Sequence, residues 1–329
     1  MEQQFYQPRN QWARSKQSVF VAGHTGMVGR AVLRSLHSSP DLEPLQEDQR
    51  VDYTTINAAE RVLQKHQPDA VVLCAAKVGG IHANNTRRAD FIRDNLAIQL
   101  NWIQAAHKYN LNKFILLGSS CIYPREALQP IIEESLLTGP FEPTNRPYAL
   151  AKTTGIELCN AYNHQYGDNF YSLMPPNQYG PFDNFKVGES HAVASLFRKV
   201  HEAKDGGVIE LWGTGSPKRE FMHVDDLASS IAFCLKTINA QDCEPNGFLN
   251  VGTQEECNIR QLAELIIEVS GKRLTLSLDP AMPDGPPRKV MDSSRLNQLG
   301  WQHRISLDEG IRSTWRWIET NWDQPTTRK

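Results

Sequence analysis

A short apolar run followed by three glycines places the strongest constraint on the fold of this chain. Residues 18–22 read Ser-Val-Phe-Val-Ala, Gly23, Gly26 and Gly29 follow, and a helical pattern runs from Met27 to Leu36. A strand that turns through glycine into a helix begins a βαβ unit, where backbone N–H groups at the helix N-terminus bind a diphosphate. Three glycines alone are a weak signal, but their position at the first strand-to-helix turn favours dinucleotide binding over an ordinary turn.

Strand-like and helical patterns alternate through the first half of the chain. Apolar runs at Asp69 to Ala76, Lys113 to Gly118 and Asn169 to Met174 are separated by amphipathic segments at Arg88 to Lys108 and Tyr148 to Tyr166. This alternation predicts a parallel sheet with right-handed helical crossovers, which is a Rossmann-type doubly wound α/β fold. Other predicted helices are Ile56 to His66, Ser190 to Ala203, Asp225 to Leu235, Ile259 to Val269 and Leu307 to Trp317, and other predicted strands are Val208 to Trp212, Phe248 to Val251 and Leu274 to Leu278.

The less regular second half predicts a smaller C-terminal α/β lobe that binds substrate. We expect a polar tail at residues 1–17 and a dinucleotide-binding domain at 18–185, to which 222–254 return. The substrate-binding lobe is predicted over 186–221 and 255–329. With 329 residues, of which 40% are hydrophobic, the chain can bury a core of this size.

Charge and cysteine content exclude several classes of protein. The chain carries 35 basic and 37 acidic residues, for a net charge of -2, which predicts neither a nucleic-acid partner nor a membrane partner. Its six cysteines form no CxxC pair, so we expect a reducing cytoplasm and no metal site. No apolar run has the length of a membrane span.

A tyrosine and a lysine four residues apart indicate chemistry at a carbonyl group. Tyr148 and Lys152 fall on one face of a predicted helix. A phenol ordinarily titrates near pH 10, and an adjacent ammonium would lower that pKa toward the working range of an acid-base catalyst. Alone the pair is typical of an exposed helix face. Together with the glycine loop (residues 23–29) and with Ser119 and Ser120 at a strand end, it predicts a dehydrogenase site.

Longer strings in the chain resemble the extended short-chain dehydrogenase/reductase family, specifically its members that act on nucleotide sugars. The resemblance runs from about Val19 to Trp317. It is carried by AAKVGGIHANNT (75 to 86), LGSSCIYP (117 to 124), EPTNRPYALAK (142 to 152), REFMHVDDLA (219 to 228) and PDGPPRK (283 to 289).

The resemblance implies two reactions in one site. GDP-4-keto-6-deoxy-D-mannose would be epimerised at C3 and C5, and its C4 ketone would then be reduced by NADPH. The implied catalytic residues are Ser119, Cys121, Tyr148, Lys152 and His191. Cys121 and His191 suit proton exchange, since a thiol and an imidazole ordinarily titrate near pH 8.5 and 6.5. Without the resemblance, they would be interpreted as a small buried residue and a surface histidine.

The resemblance also implies a set of cofactor contacts. These are Gly23, His24, Thr25, Gly26, Met27, Val28, Gly29, Leu117, Gly118, Ser119, Ser120, Lys152, Pro175, Pro176, Asn177, Gln178 and His191.

Two of these positions depart from the family pattern. Pro176 stands where a threonine is expected and has no N–H to donate. Thr25 stands where members often carry an arginine that meets the NADPH 2′-phosphate. The family implies NADP(H), whereas Thr25, Glu47 and Asp48 make NAD(H) possible, and Arg50 could compensate for the missing arginine.

Five further positions match residues that bind the GDP-sugar in the family: Lys199, Trp212, Arg219, Asp284 and Lys289. Cations suit a diphosphate, and an indole face offers stacking area. The resemblance also implies a homodimer, with a four-helix interface built by the helices at Arg88 to Lys108 and Tyr148 to Tyr166.

Two other functions share part of this pattern. A sugar-nucleotide 4-epimerase or 4,6-dehydratase has the glycine loop and the Tyr/Lys pair but does not need Cys121 and His191. A non-catalytic nicotinamide-sensing protein on the same fold can dispense with the tyrosine and the lysine. Because this chain carries all four residues, the sequence favours the epimerase-reductase.

Overall fold

A computed structural model describes residues 16–282 and 284–323 of the chain. Residues 1–15 of the predicted polar tail therefore lie outside the described residues. Gln17, which was assigned to the tail, is the first residue of the first strand.

A six-stranded parallel sheet forms the centre of the molecule, in the order β2-β1-β3-β4-β5-β9. Its strands are rich in β-branched and aromatic residues, and β3, β4 and β5 are buried along their whole length. The strands are β1 (Gln17–Ala22), β2 (Leu42–Leu45), β3 (Ala70–Leu73), β4 (Lys113–Leu117), β5 (Phe170–Met174) and β9 (Phe248–Asn250).

Helices cover both faces of this sheet. One core joins β1, β3 and β4 to α1 and α7 through residues such as Val32 and Ile231, and the other joins the sheet to α2 and α4 through Val62 and Trp102. The helices of this part are α1 (Met27–His37), α2 (Ala58–His66), α3 (Ile81–Thr86), α4 (Arg88–Lys108), α5 (Arg146–Tyr166) and α7 (Val224–Thr237). The predicted doubly wound fold is confirmed.

The later segments form smaller sheets with their own core. Strand β8 (Lys218–His223) pairs with β6 (Asn177–Tyr179), β10 (Glu256–Asn258) and β12 (Arg288–Lys289). Strand β7 (Val208–Trp212) pairs with β11 (Thr275–Asp279). The helices of this part are α6 (Ala192–Glu202), α8 (Ile259–Ser270), α9 (Ser294–Gln298) and α10 (Leu307–Asn321), and α6, α8 and α10 enclose a core that includes Phe197 and Trp315.

The division of the chain into two domains stays a prediction, which the connectivity supports. Strand β9 returns to the central sheet, and α7 packs on the same core as α1. Across the residues that the structure describes, no helix has both the length and the apolar character that a membrane crossing requires.

Candidate active site

The glycine loop forms a tight cradle between β1 and α1. Gly23 has φ +93°, and a side chain there would come within 2.5 Å of the Ala75 backbone nitrogen. A side chain at Gly29 would come within 2.2 Å of the Gly23 carbonyl oxygen. Gly26 precedes α1, and no side chain caps the helix. The first N–H groups of α1, around Met27 and Val28, can therefore receive an anion.

The second and third residues of the loop differ in exposure. His24 is buried, and burial together with the nearby Arg30 lowers its pKa, so its imidazole is neutral at pH 7. Thr25 is exposed. Arg30 donates from Nε to the Thr25 carbonyl oxygen at 3.0 Å and lies 4.4 Å from the centre of the Phe182 ring. The Arg30 guanidinium thus links α1 to the glycine loop by a hydrogen bond and to the segment after β6 by its contact with the Phe182 ring.

Tyr148 and Lys152 lie buried on α5 beside the carboxyl end of β4. Lys152 donates from Nζ to the Leu117 carbonyl oxygen at 2.7 Å, and that ammonium lies 5.8 Å from the centre of the Tyr148 ring. Burial lowers the pKa of Lys152 to about 8.

The expectation that Lys152 lowers the pKa of Tyr148 is wrong for this geometry. Burial raises the pKa of the phenol above its usual value, the nearby Cys121 acts in the same direction, and the Ser119 hydroxyl acts against both. The phenol is therefore protonated at neutral pH, which suits a proton donor.

The predicted serines, Ser119 and Ser120, follow the carboxyl end of β4 and so lie at the site. The Gly118 N–H donates to the Leu173 carbonyl oxygen at 2.9 Å, and the Ser120 N–H donates to the Pro175 carbonyl oxygen at 3.1 Å. Ser120 is buried. Ser119 is half-buried, and its hydroxyl oxygen accepts a hydrogen bond from the Cys121 N–H at 3.2 Å. Of the two serines, Ser119 is therefore the one that a substrate can reach.

Cys121 contacts both Tyr148 and Lys289, a cation from a distant part of the sequence. Its thiol packs against a small apolar cluster of Tyr148, Phe91 and Ala83. Lys289, in β12, places its Nζ 3.9 Å from the Cys121 Sγ. The structure thus brings together three of the predicted site residues.

His191 lies directly before α6, and its neighbours are fixed to the loop after β3. The Gly80 N–H donates to the Glu189 carbonyl oxygen at 2.9 Å, and a side chain at Gly80 would come within 2.5 Å of the Ser190 carbonyl oxygen. Solvent reaches His191, but the protein around it lowers its pKa by desolvation, so the imidazole is neutral at pH 7.

Residues 175–178 connect the central sheet with the smaller β8 sheet. Asn177 approaches the Glu220 carbonyl oxygen at 3.5 Å through Nδ2, and the Gln178 amide approaches the Pro176 carbonyl oxygen at the same distance. The buried Oε1 of Gln178 has no hydrogen-bond partner among the described residues. The backbone in this segment holds Ser120 through Pro175.

The predicted sugar-nucleotide residues are spread over α6, β7, β8, β12 and the segment before β12. Lys199 donates to the Glu210 carbonyl oxygen at 2.7 Å, and Trp212 is exposed. Asp284 accepts hydrogen bonds from the Thr214 N–H at 3.0 Å and from the Thr214 hydroxyl at 2.7 Å. In this structure Asp284 therefore orders the turn after β7.

Arg219, in β8, is a cation in a partly desolvated position. Burial lowers its pKa, while Asp284 acts in the opposite direction. Its guanidinium lies against the backbone at Gly285, where a side chain would come within 2.8 Å of Nη2. The residue is half-buried, so the guanidinium can still meet an anionic ligand.

Glu220 organises the site, although the sequence analysis assigned it no role. It is fully buried and accepts hydrogen bonds from the N–H groups of Thr253 at 2.6 Å, Gln254 at 2.9 Å and Met291 at 2.9 Å. Burial raises its pKa. The available signal in the sequence was an acid directly before the apolar pair Phe221 and Met222. Glu220 holds the segment after β9 against the segment that carries Lys289.

The chain's own geometry fits a dinucleotide. The glycines leave space that side chains would fill, α1 offers an uncapped N-terminus, and Tyr148 and Lys152 lie at the carboxyl end of β4, two strands from β1 in the same parallel sheet.

Comparison with known proteins agrees with this geometry. Residues 19–252 match the NAD dependent epimerase/dehydratase family, and the chain belongs to that family.

Individual members of this family provide a more specific comparison. The chain is 46% identical over 317 residues to GDP-L-fucose synthase of Escherichia coli K12, covering 94% of this chain and 99% of that protein. It is 47% identical to GDP-L-fucose synthase 1 of Arabidopsis thaliana, covering 92% and 93% of the two chains. A GDP-L-fucose synthetase from Naegleria fowleri bound to NADP superimposes with a TM-score of 0.86 at 25% identity, covering 96% of each chain.

Proposed function

We propose that this chain converts GDP-4-keto-6-deoxy-D-mannose to GDP-L-fucose by 3,5-epimerisation followed by reduction of the C4 ketone. The observation that carries the proposal is the cluster of Cys121, Tyr148 and Lys289. Tyr148 and Lys152 serve a reductase, whereas a thiol beside the carbonyl-binding phenol serves a proton exchange that a simple reductase does not need. The names of the E. coli and A. thaliana relatives support the same substrate.

The cofactor belongs to the nicotinamide dinucleotides, and it supplies the hydride when bound. The N. fowleri relative bound to NADP supports NADP(H). The exposed Thr25 and the acidic Glu47 and Asp48 support NAD(H).

In the epimerisation, Ser119 and Tyr148 would donate hydrogen bonds to the oxygen of the C4 ketone. This stabilises the enolate that forms when a neighbouring carbon loses its proton. At each carbon the neutral imidazole of His191 accepts a proton and the thiol of Cys121 supplies one. Between the two epimerisations, solvent takes the proton from His191 and returns one to Cys121. The Lys289 ammonium, 3.9 Å from Sγ, stabilises the thiolate that remains.

In the reduction, Tyr148 protonates the C4 oxygen as the ketone becomes an alcohol. Its raised pKa keeps the proton in place until that oxygen becomes negatively charged. Lys152, which donates to the Leu117 carbonyl oxygen, would hold the ribose of the cofactor when the cofactor binds. Arg219 and Lys199 are the proposed partners of the sugar diphosphate.

Incubation of the purified chain with GDP-4-keto-6-deoxy-D-mannose and NADPH or NADH, followed by product identification, tests the proposal. We expect net oxidation of the cofactor and formation of GDP-L-fucose. Release of the unepimerised reduced sugar, or recycling of the cofactor without net oxidation, would contradict it. The second outcome would favour a 4-epimerase or 4,6-dehydratase.

Replacement of Cys121 by serine separates the two reactions. We expect Cys121→Ser to slow incorporation of solvent deuterium at C3 and C5 by about 100-fold or more, because a hydroxyl exchanges its proton with carbon far less readily than a thiol does. Reduction of a ketone that needs no epimerisation should continue. Cys257→Ser, a half-buried thiol in β10, is the control. Exchange at the parental rate in Cys121→Ser would exclude the thiol from the proton transfer.

A cytoplasmic location stays a prediction from cysteine usage.

A further inference from the structure

An acidic residue lies at the edge of the sheet where the dinucleotide's adenosine would bind. Glu47 follows β2 by two residues, and β2 pairs in parallel with β1 so that Leu45 is opposite Phe20. The carboxyl end of β2 is therefore beside the carboxyl end of β1, where the glycine loop begins. In this fold, an acid near that position accepts a hydrogen bond from the 2′-hydroxyl of the adenosine ribose.

The Glu47 carboxylate is held in place by two side chains from the end of α2. Lys65 donates from Nζ at 2.7 Å, and His66 lies at 3.0 Å through Nε2. Only 16% of the Glu47 side chain is exposed. Burial acts to raise its pKa, but the hydrogen bonds from Lys65 and His66 outweigh burial and lower it. The residue is thus a fixed, ionised group.

The glycine loop next to Glu47 offers no cation to a phosphate. The electrostatic influence of Glu47 reaches His24, which burial and Arg30 keep neutral. Thr25 contributes only a hydroxyl group. Arg30 is already bound to the Thr25 carbonyl and stacked on Phe182.

Among the residues that the structure describes, three further charged side chains lie close to Glu47 in the sequence or pair with it. Lys65 is paired with Glu47, Asp48 is exposed, and Arg50 is exposed and acts electrostatically on Asp52. Of these, Arg50 is the candidate that could receive a phosphate. It would have to do so beside both Glu47 and Asp48.

We propose that Glu47 selects the cofactor, so that this chain binds NADH more tightly than NADPH. A ribose with a free 2′-hydroxyl can donate to the carboxylate. A 2′-phosphate would instead place about two negative charges next to it. This inference rests on the nicotinamide site of the proposed function and specifies its adenosine end.

Direct binding of each cofactor to the full chain, without sugar substrate, tests the inference. We expect the Kd for NADH, measured by calorimetry or by quenching of tryptophan fluorescence, to be at least about tenfold lower than that for NADPH. Glu47→Gln should reduce the difference between the two Kd values by lowering the Kd for NADPH. Glu60→Gln is the matched control, because Glu60 lies on α2, the helix that carries Lys65 and His66, and forms a similar ion pair with Lys108 of α4.

Thr25→Arg provides a second variant that leaves the Glu47 ion pairs intact. It should tighten NADPH binding by a larger factor than it changes NADH binding, and thermal unfolding of each variant reports whether it is folded. Tighter binding of NADPH than NADH by the unmodified chain would overturn the inference while leaving the proposed function in place. Failure to bind either cofactor would contradict both. A ratio unchanged by Glu47→Gln in a folded protein would exclude Glu47 as the selecting residue.

Discussion

Tyr148 has a buried phenol whose proton is held at neutral pH, and this makes the residue a donor in the proposed reduction. We expect Tyr148→Phe to lower the rate of reduction by about 100-fold to 10,000-fold, because the C4 oxygen would lose its proton source. Cofactor affinity should change little. Steady-state rates and cofactor titration measure the two effects. Tyr162→Phe, about four helical turns further along the same helix, is the control. Full reductase activity in Tyr148→Phe would revive a non-catalytic, cofactor-sensing function.

Asp183 shows how one buried carboxyl links stability to pH. It is 6% exposed, its Oδ2 has no hydrogen-bond partner among the described residues, and burial raises its pKa to about 7. A raised carboxyl pKa means that the native state binds more protons than the unfolded state between about pH 4 and 7. The free energy of unfolding therefore falls as the pH rises through this window.

Asp183→Asn removes that dependence, because an amide stays neutral. The variant should gain a few degrees in Tm over the parent at pH 8 and much less at pH 5. Thermal unfolding at both pH values provides the measurement. Asp205→Asn is the comparison, because Asp205 is an exposed partner of Arg273 that is ionised at both pH values. An equal difference in Tm at pH 5 and pH 8 for Asp183→Asn would show that Asp183 does not titrate in this range.

The packing of helix α1 against the glycine loop depends on a close backbone contact between Gly29 and Gly23. A side chain at Gly29 would come within 2.2 Å of the Gly23 carbonyl oxygen, whereas one at Gly26 would be 3.6 Å from it. We expect Gly29→Ala to lower the free energy of unfolding by about 1–3 kcal/mol through overpacking. Gly26→Ala should leave it nearly unchanged. Urea denaturation of both variants measures the difference, and equal values would contradict the proposed contact.

The secondary structure was predictable where helices and strands are long or follow turn signals. Helix α4 has the predicted ends, and α1 extends only one residue beyond its prediction. Strands β6, β10 and β12, of two or three residues each, were not identified, and neither was the six-residue strand β8. Each of the three short strands pairs with β8, which takes its partners from three distant parts of the chain. Local periodicity cannot report such pairings.

The site itself was predictable to the extent that its residues lie in recognisable strings. Tyr148, Lys152 and Ser119 follow from spacing and from the strand end, and the structure places them together. Cys121 and His191 required the family resemblance, because a lone thiol and a lone imidazole have no spacing signal. Burial reversed the expected direction of the Tyr148 pKa shift, since desolvation depends on packing that a sequence pattern does not describe.

For the whole molecule, we propose a homodimer formed through α4 and α5. These helices pack on each other, where Gln99 donates to the Ala151 carbonyl oxygen at 2.7 Å. They also present exposed apolar side chains, of which Leu100 is 41% and Tyr166 52% accessible.

Analytical ultracentrifugation should give a mass near twice the 37.2 kDa of the chain. Leu100→Asp should shift it toward the monomer, because a charge would be buried at the interface. Leu128→Asp, on an exposed leucine outside these helices, is the control. A monomeric parent protein would contradict the proposal.

The contact between Cys121 and Lys289 has a consequence for biosynthesis. The two residues are 168 positions apart, and Lys289 follows every strand of the central sheet. A ribosome therefore completes the sheet and its glycine loop well before it adds the lysine. A nascent chain, or a product of premature termination in this interval, would carry the parts for holding a nucleotide together with Cys121 and His191, but not the lysine proposed to stabilise the Cys121 thiolate. The complete site for sugar chemistry would exist only once synthesis is nearly finished.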